Sequence, residues 1–255
     1  MVTRDELTGF IEKTVGSDLL VKATQVDENA NGVQISGADE VEKIALGVTA
    51  NLDFFHEAVA AGAQFCLFHH GLPLAPRFIS GAKLNKSQQV LLKYVFAHNL
   101  TVAGYHYTLD AHTQIGNNAT IIRGLGAKRL EVPYSDRWGW LAEFARPTPV
   151  AKLADKLAEI TSHDVFAVYG GSDLVKRMAV CSGNGKPLSQ DLLVLAQYKV
   201  DLLVSGEIGE GDPAIAKQAG FNYFSAGHYA TEVFGVQELG KKIKAHFKSK
   251  LEVEF

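Results

Sequence analysis

Two cysteines, Cys66 and Cys181, are too few to build a disulfide framework, and they form no CxxC pair. Both lie in apolar, strand-like segments, and a reducing cytoplasm is the expected compartment. No excess of one charge sign is present either. A net charge of −3 and a pI near 6.3 argue against a dominant nucleic-acid surface. No uninterrupted apolar run approaches the roughly 18 residues that a membrane span needs. The Thr-Arg-Asp-Glu after Met1 lacks the basic stretch and apolar core expected of a signal peptide. No stretch is low-complexity or linker-like. What remains, 47% hydrophobic and 21% charged over 255 residues, suits one large or two modest globular domains with a real core.

Thr3-Arg4-Asp5-Glu6 is a capping box that opens a helix to about Val15. Residues 32–36 and 42–50 read as strands. Asn51 or Asp53 caps a helix to Ala61, which delivers a strand at 64–68. Helical periodicity over 85–99 leads to a strand at 101–105, and residues 117–124 form a short helix. A second half begins near Leu130. It has strands at 138–145, 164–168, 176–181, 201–205 and 222–226, and helices at 150–162, 189–198, 213–220 and 230–246. Pro147-Thr148-Pro149 punctuates the first of these strands. The alternation predicts an α/β fold with mixed sheets layered by helices. Two domains are expected, 1–129 and 130–255, each with strands ending in metal-competent residues and then a helix.

Five of the nine histidines fall in three short segments at the carboxyl ends of apolar runs, where open α/β sheets build their sites. Cys66-Leu67-Phe68 runs into His69-His70 and then Gly71, where the backbone can turn and re-aim both rings. Without that turn, neighbouring histidines on a strand point opposite ways, one to core and one to solvent. The next segment is Gly104-Tyr105-His106-Tyr107-Thr108-Leu109-Asp110-Ala111-His112. Asp110 reads as a carboxylate ligand, with His106 or His112 as partner or proton carrier, or as a cap or turn aspartate. In Gly227-His228-Tyr229-Ala230-Thr231-Glu232, residues i and i+4 share a helix face and can converge on one ion. The other reading is a helix-start pair, with Glu232 answering the helix dipole. Glu207 ends another apolar strand as a catalytic or a solvated loop carboxylate. Gly116-Asn117-Asn118 opens a helix that could hold an anionic substrate. Ser182-Gly183-Asn184-Gly185-Lys186 lacks Walker spacing and reads as a plain glycine turn.

In order and spacing, His69-His70, the 104–112 phrase with Gly116-Asn117-Asn118, and Ser205-Gly206-Glu207 with Gly227-His228-Tyr229-Ala230-Thr231-Glu232 resemble the Nif-three-like proteins. These are commonly named GTP cyclohydrolase 1 type 2 homologues. The Leu109-Asp110-Ala111-His112 and Gly-Asn-Asn details are most similar to the short bacterial YbgI-like branch, and the resemblance runs from the first helix to the last. It implies a two-lobed α/β fold with a metal site in the cleft between lobes, assembled as a toroidal homohexamer. It also implies two divalent ions per chain on His69, His70, Asp110, His228 and Glu232. Many members carry a Tyr-His-Asp-like phrase after the strand corresponding to 201–205. Here Gly209-Glu210-Gly211-Asp212-Pro213 has no histidine.

Such a mixed nitrogen and oxygen set suits zinc, iron, manganese or nickel, and no thiolate biases the choice. His69 and His70, adjacent on a strand end, are expected to serve different ions. Glu232 is placed to bridge ions about 3.5–4 Å apart, an arrangement that activates water for hydrolysis. The expected function is a dinuclear metal-dependent hydrolase of a small molecule, of GTP cyclohydrolase 1 type 2 kind by resemblance. Glu207, His106 or His112 would carry protons. A non-catalytic metal-binding or delivery protein, or an oligomeric adaptor, fits the same residues.

Overall fold

The computed structural model describes residues 1–74, 81, 83–136 and 138–255. The chain divides into two compact units, residues 1–109 with 235–255, and residues 110–234.

The first unit runs β1 (Val2–Thr3), α1 (Arg4–Val15), α2 (Ser17–Val26), β2 (Asn31–Ile35), β3 (Glu40–Val41), β4 (Lys43–Gly47), α3 (Leu52–Ala60), β5 (Phe65–Phe68), α4 (Lys86–Ala97), β6 (Thr101–Tyr105) and α5 (Tyr107–Ala111). Side-chain caps start α1, α3 and α4. Thr3 Oγ1 accepts from Glu6 N–H at 3.1 Å, Asn51 Oδ1 from Phe54 N–H at 2.9 Å, and Asn85 with Gln88 forms a capping box. β4, β5 and β6 lie side by side and parallel, with β2 antiparallel on β6. Every residue of β5 is buried, as a parallel strand covered on both faces requires. On one face Phe55, Ala58, Leu91 and Val95 pack with Ala45, Cys66 and Phe68.

The second unit continues α6 (Asn117–Leu125), β7 (Lys128–Tyr134), β8 (Gly139–Pro149), α7 (Val150–Thr161), β9 (Phe166–Val168), β10 (Leu174–Cys181), α8 (Ser189–Gln197), β11 (Leu202–Ser205), α9 (Asp212–Ala219), β12 (Asn222–Ser225) and the start of α10 (His228–Phe247). Its strand order among the described residues is β7-β8-β10-β11-β12-β9, with β10, β11 and β12 parallel. The two-residue period of these strands sorts the core. Met178, Val180, Val204 and Phe224 pack with Ile121 and Leu157, while Ala179, Leu203 and Tyr223 pack with Leu195 and Ala216. The chain then returns to the first unit through α10 and β13 (Glu252–Glu254), which pairs parallel with β4.

These units differ from a division at Leu130 in two stretches. Residues 110–129 join the second unit because α6 buries Ile121, Ile122 and Leu125 among its core residues. Residues 235–255 join the first through the β13–β4 pairing and through Gly240, which lies so close to Leu46 that a β-carbon would overlap it. Pro147-Thr148-Pro149 does not break β8. Thr148 and Pro149 pair with Val175 and Leu174, beyond the reach of β7, whose pairing stops at Glu143. On that open side a proline forfeits no ladder bond.

Both cysteines are buried, and burial pushes each thiol up to about 12. At pH 8 only about one thiol in 10⁴ would be ionised. Native protein is therefore expected to resist an aromatic disulfide reagent, and both thiols to react once it is denatured. Equal labelling rates in the two states would contradict this packing.

Candidate metal centre

In the first unit the carboxyl ends of two neighbouring parallel strands, β5 and β6, carry the chemistry. His69 and His70 follow β5, and their N–H groups extend its ladder to Gly47 O (3.1 Å) and Val48 O (2.9 Å). His106 follows β6. Gly71 turns the chain after the histidine pair with φ +70°. The ligand-competent atoms of His69, His70 and His106 lie within 4.8 Å of one another. Each ring is held at Nδ1 by an oxygen. His69 Nδ1 is 3.3 Å from Tyr105 O, and His70 Nδ1 is 3.0 Å from Thr49 Oγ1. His106 Nδ1 is 2.9 Å from both oxygens of Asp27. An imidazole engaged at Nδ1 offers Nε2 to a metal, and such oxygens fix its tautomer and orientation. Burial works against charge on Asp27. Hydrogen bonds from His106, Asn29 N–H and the Asn31 amide outweigh it and hold the carboxyl below its usual range.

The second unit repeats the device, with Gly183 after β10, Glu207 after β11 and His228 after β12. His228 opens α10, and its Nε2 is 3.2 Å from Glu232 Oε1 one turn on. Its Nδ1 is 2.6 Å from Glu207 Oε1, while Glu207 Oε2 pairs with Lys186 Nζ at 2.9 Å. The Tyr223 hydroxyl donates to Glu207 O at 2.7 Å. Against desolvation, Glu232 first and then Glu207 push His228 up to about 9. Glu232 dominates despite the longer contact because its side chain is only 4% exposed, where water screens charge least. His228 and then Lys186 hold Glu207 below its usual range. Glu207 therefore stands behind His228 as an orienting carboxylate. Gly183, at φ +57°, fits against the His228–Glu232 pair, and a β-carbon there would overlap Glu232 Oε1. Its N–H donates to Thr231 Oγ1 at 3.0 Å.

Asp110 is buried in the same unit. Its Oδ1 accepts from Ser182 Oγ (2.8 Å) and from the Asn117 amide (3.0 Å). The Asn118 amide donates to Asp110 O (3.1 Å) and Trp138 O (2.8 Å), and its Oδ1 accepts from Ser182 N–H (2.7 Å). Both asparagines are fully buried, so their side chains brace Asp110 and the end of β10 rather than face an anion. His112 Nδ1 accepts from the N–H groups of Gln114 (3.1 Å) and Ile115 (3.2 Å), closing the turn before α6.

The first unit thus gathers His69 and His70 with His106, which the sequence cast only as a partner or proton carrier. The second gathers His228, Glu232 and Glu207. Asp27, Gly183 and Lys186 are additions that the sequence did not single out for these roles. The one trace of Asp27 is the polar Asp-Glu-Asn-Ala-Asn run between α2 and β2.

Residues 2–255 match the family model Duf34/NIF3 (NGG1p interacting factor 3). This chain belongs to the Duf34/NIF3 family. Among the relatives of this Duf34/NIF3 member, a Pyrococcus abyssi protein named GTP cyclohydrolase 1 type 2 homolog is 33% identical over 250 residues, covering 96% of this chain and 94% of that one. An Escherichia coli K12 protein of the same name is 32% identical over 229 residues, 88% of each chain. The solved structure of protein ybgI, described as of unknown function, matches with a TM-score of 0.86 at 28% identity, covering 100% of this chain and 97% of that one.

Proposed function

We propose that this Duf34/NIF3 member is a dinuclear metal-binding protein acting as a metal-dependent hydrolase. The observation that carries the reading is the His69, His70 and His106 trio, whose three rings are each held at Nδ1 by an oxygen and lie within 4.8 Å at their ligand atoms. Histidines that merely fill a core need no such convergence. The His228–Glu232 pair, with Glu207 behind it, and Asp110, braced by Ser182 and Asn117, supply the other donors of the reading. His69, His70, Asp110, His228 and Glu232 would hold two divalent ions, with zinc, iron, manganese and nickel as candidates. Bound there, the ions would supply Lewis acidity and lower the pKa of a water. Glu207 keeps the His228 ring oriented, and Lys186 balances the charge of Glu207.

The relatives' name makes GTP the first substrate to assay. Metal-loaded protein should turn over GTP or another member of a hydrolase panel, and Glu232→Ala should lower turnover roughly 100-fold or more, as loss of a ligating carboxylate does. Retained metal without turnover of any substrate would replace the enzyme reading with a non-catalytic metal-binding one. A homohexamer in the cytoplasm is part of the proposal. Mass measurement should give six times the 27.6 kDa chain, and a monomer alone at micromolar concentration would contradict it.

A further inference from the structure

We propose that Asp27 is a positioning residue that makes His106 a third imidazole ligand beside His69 and His70. The inference rests on the metal-centre reading above. The Asp27 side chain is 2% exposed. Its Oδ1 accepts from Asn29 N–H (2.9 Å), and its Oδ2 accepts from the Asn31 amide (2.8 Å) and Tyr107 N–H (3.1 Å). The remaining neighbour is His106 Nδ1, 2.9 Å from both oxygens. An ionised carboxylate can only accept, so the ring donates from Nδ1 and Nε2 keeps its lone pair. The Asn29 amide nitrogen lies 3.1 Å from Nδ1 and 3.3 Å from Nε2. With Nδ1 donating to Asp27, the amide can donate only to the Nε2 lone pair, a bond that an incoming metal ion would displace. Tyr107 stacks on the ring with centroids 4.6 Å apart and planes at 23°, which fixes the ring plane. Tautomer and plane are both set before any ligand arrives. That suits a metal ligand better than a proton carrier, whose ring must exchange protons.

Asp27 also ties down the loop between α2 and β2, so a purely structural role has to be separated from this one. Cobalt(II) binding to the full chain does so, read as affinity and as visible d–d bands, with thermal unfolding alongside. The variants are Asp27→Ala, Asp27→Asn, His106→Ala and Asp27→Ala/His106→Ala. Asp27→Asn keeps the side-chain volume and serves if the alanine fails to fold; the pair Asp27→Asn/His106→Ala then replaces the alanine pair. Each Asp27 variant should bind roughly 10- to 100-fold more weakly, the usual effect of losing a carboxylate behind a ligating histidine. Its bands should shift as those of His106→Ala do, and the double variant should bind no more weakly than His106→Ala alone. An Asp27 effect that persists at full size without His106 would overturn the inference, because Asp27 would then act through the fold. Unchanged affinity and bands in His106→Ala would overturn it too. His69→Ala tests the metal-centre reading separately: if it binds cobalt like wild type, that reading fails and the inference fails with it.

Discussion

A single methyl group added at Gly183 is expected to remove most of the metal affinity that depends on Glu232 while leaving the fold largely intact. The new β-carbon would overlap Glu232 Oε1 and come to 2.9 Å from Glu232 Cδ and 3.0 Å from His228 Nε2. The end of a glutamate side chain yields more readily than backbone, so the carboxylate moves and the strands stay. The backbone adds a smaller penalty. At φ +57° an L-residue is strained by roughly 1–2 kcal/mol, which lowers Tm by only several degrees in a chain of this size. Gly183→Ala should therefore show near-native unfolding but at least ~100-fold weaker zinc or cobalt binding by calorimetric titration. Native affinity in that variant would show that Glu232 holds no metal. A variant unable to fold would confine the role of Gly183 to the turn after β10.

Asn118→Ala should be among the most destabilising single changes in the second unit. The fully buried Asn118 side chain satisfies three backbone groups, Asp110 O, Trp138 O and Ser182 N–H, at 3.1, 2.8 and 2.7 Å. Alanine would leave all three without this partner in a region closed to water. Each such loss costs roughly 1–3 kcal/mol, and a total of about 3–5 kcal/mol is expected. Denaturant titration should show a lower midpoint at an unchanged slope. Asn118→Asp should fare no better, because it keeps the acceptor for Ser182 N–H but sets a negative oxygen against two carbonyls. A wild-type midpoint for either variant would contradict this role for Asn118.

The parts legible in sequence are those whose cause is local. β5 reads as a strand because it is buried on both faces, and the switch to His69-His70-Gly71 marks its end. Thr3 and Asn51 signal helix starts because caps act within three residues. The i, i+4 spacing of His228 and Glu232 places them on one helix face, and their side chains meet at 3.2 Å. Asp27 could not be placed by spacing, because it lies 79 residues from His106 and reaches it only through β2 pairing beside β6, with Asn31 opposite Tyr105. Gly183 was invisible for another reason. Its turn lacks phosphate-loop spacing, and only a three-dimensional approach to Glu232 shows why a side chain is excluded. The unit boundary was obscured by pairing distant in sequence. β13 joins β4, and the long α10 read as one element starts in one unit and ends in the other.

The central claim is tested most directly by metal content, measured by elemental analysis on protein purified without chelators or a nickel column. A dinuclear centre predicts two divalent ions per wild-type chain. His69→Ala and His228→Ala should each deplete mainly one ion, while Glu232→Ala should weaken both. Variants that all keep two ions at native affinity, or a wild-type chain that takes up no divalent ion, would contradict it.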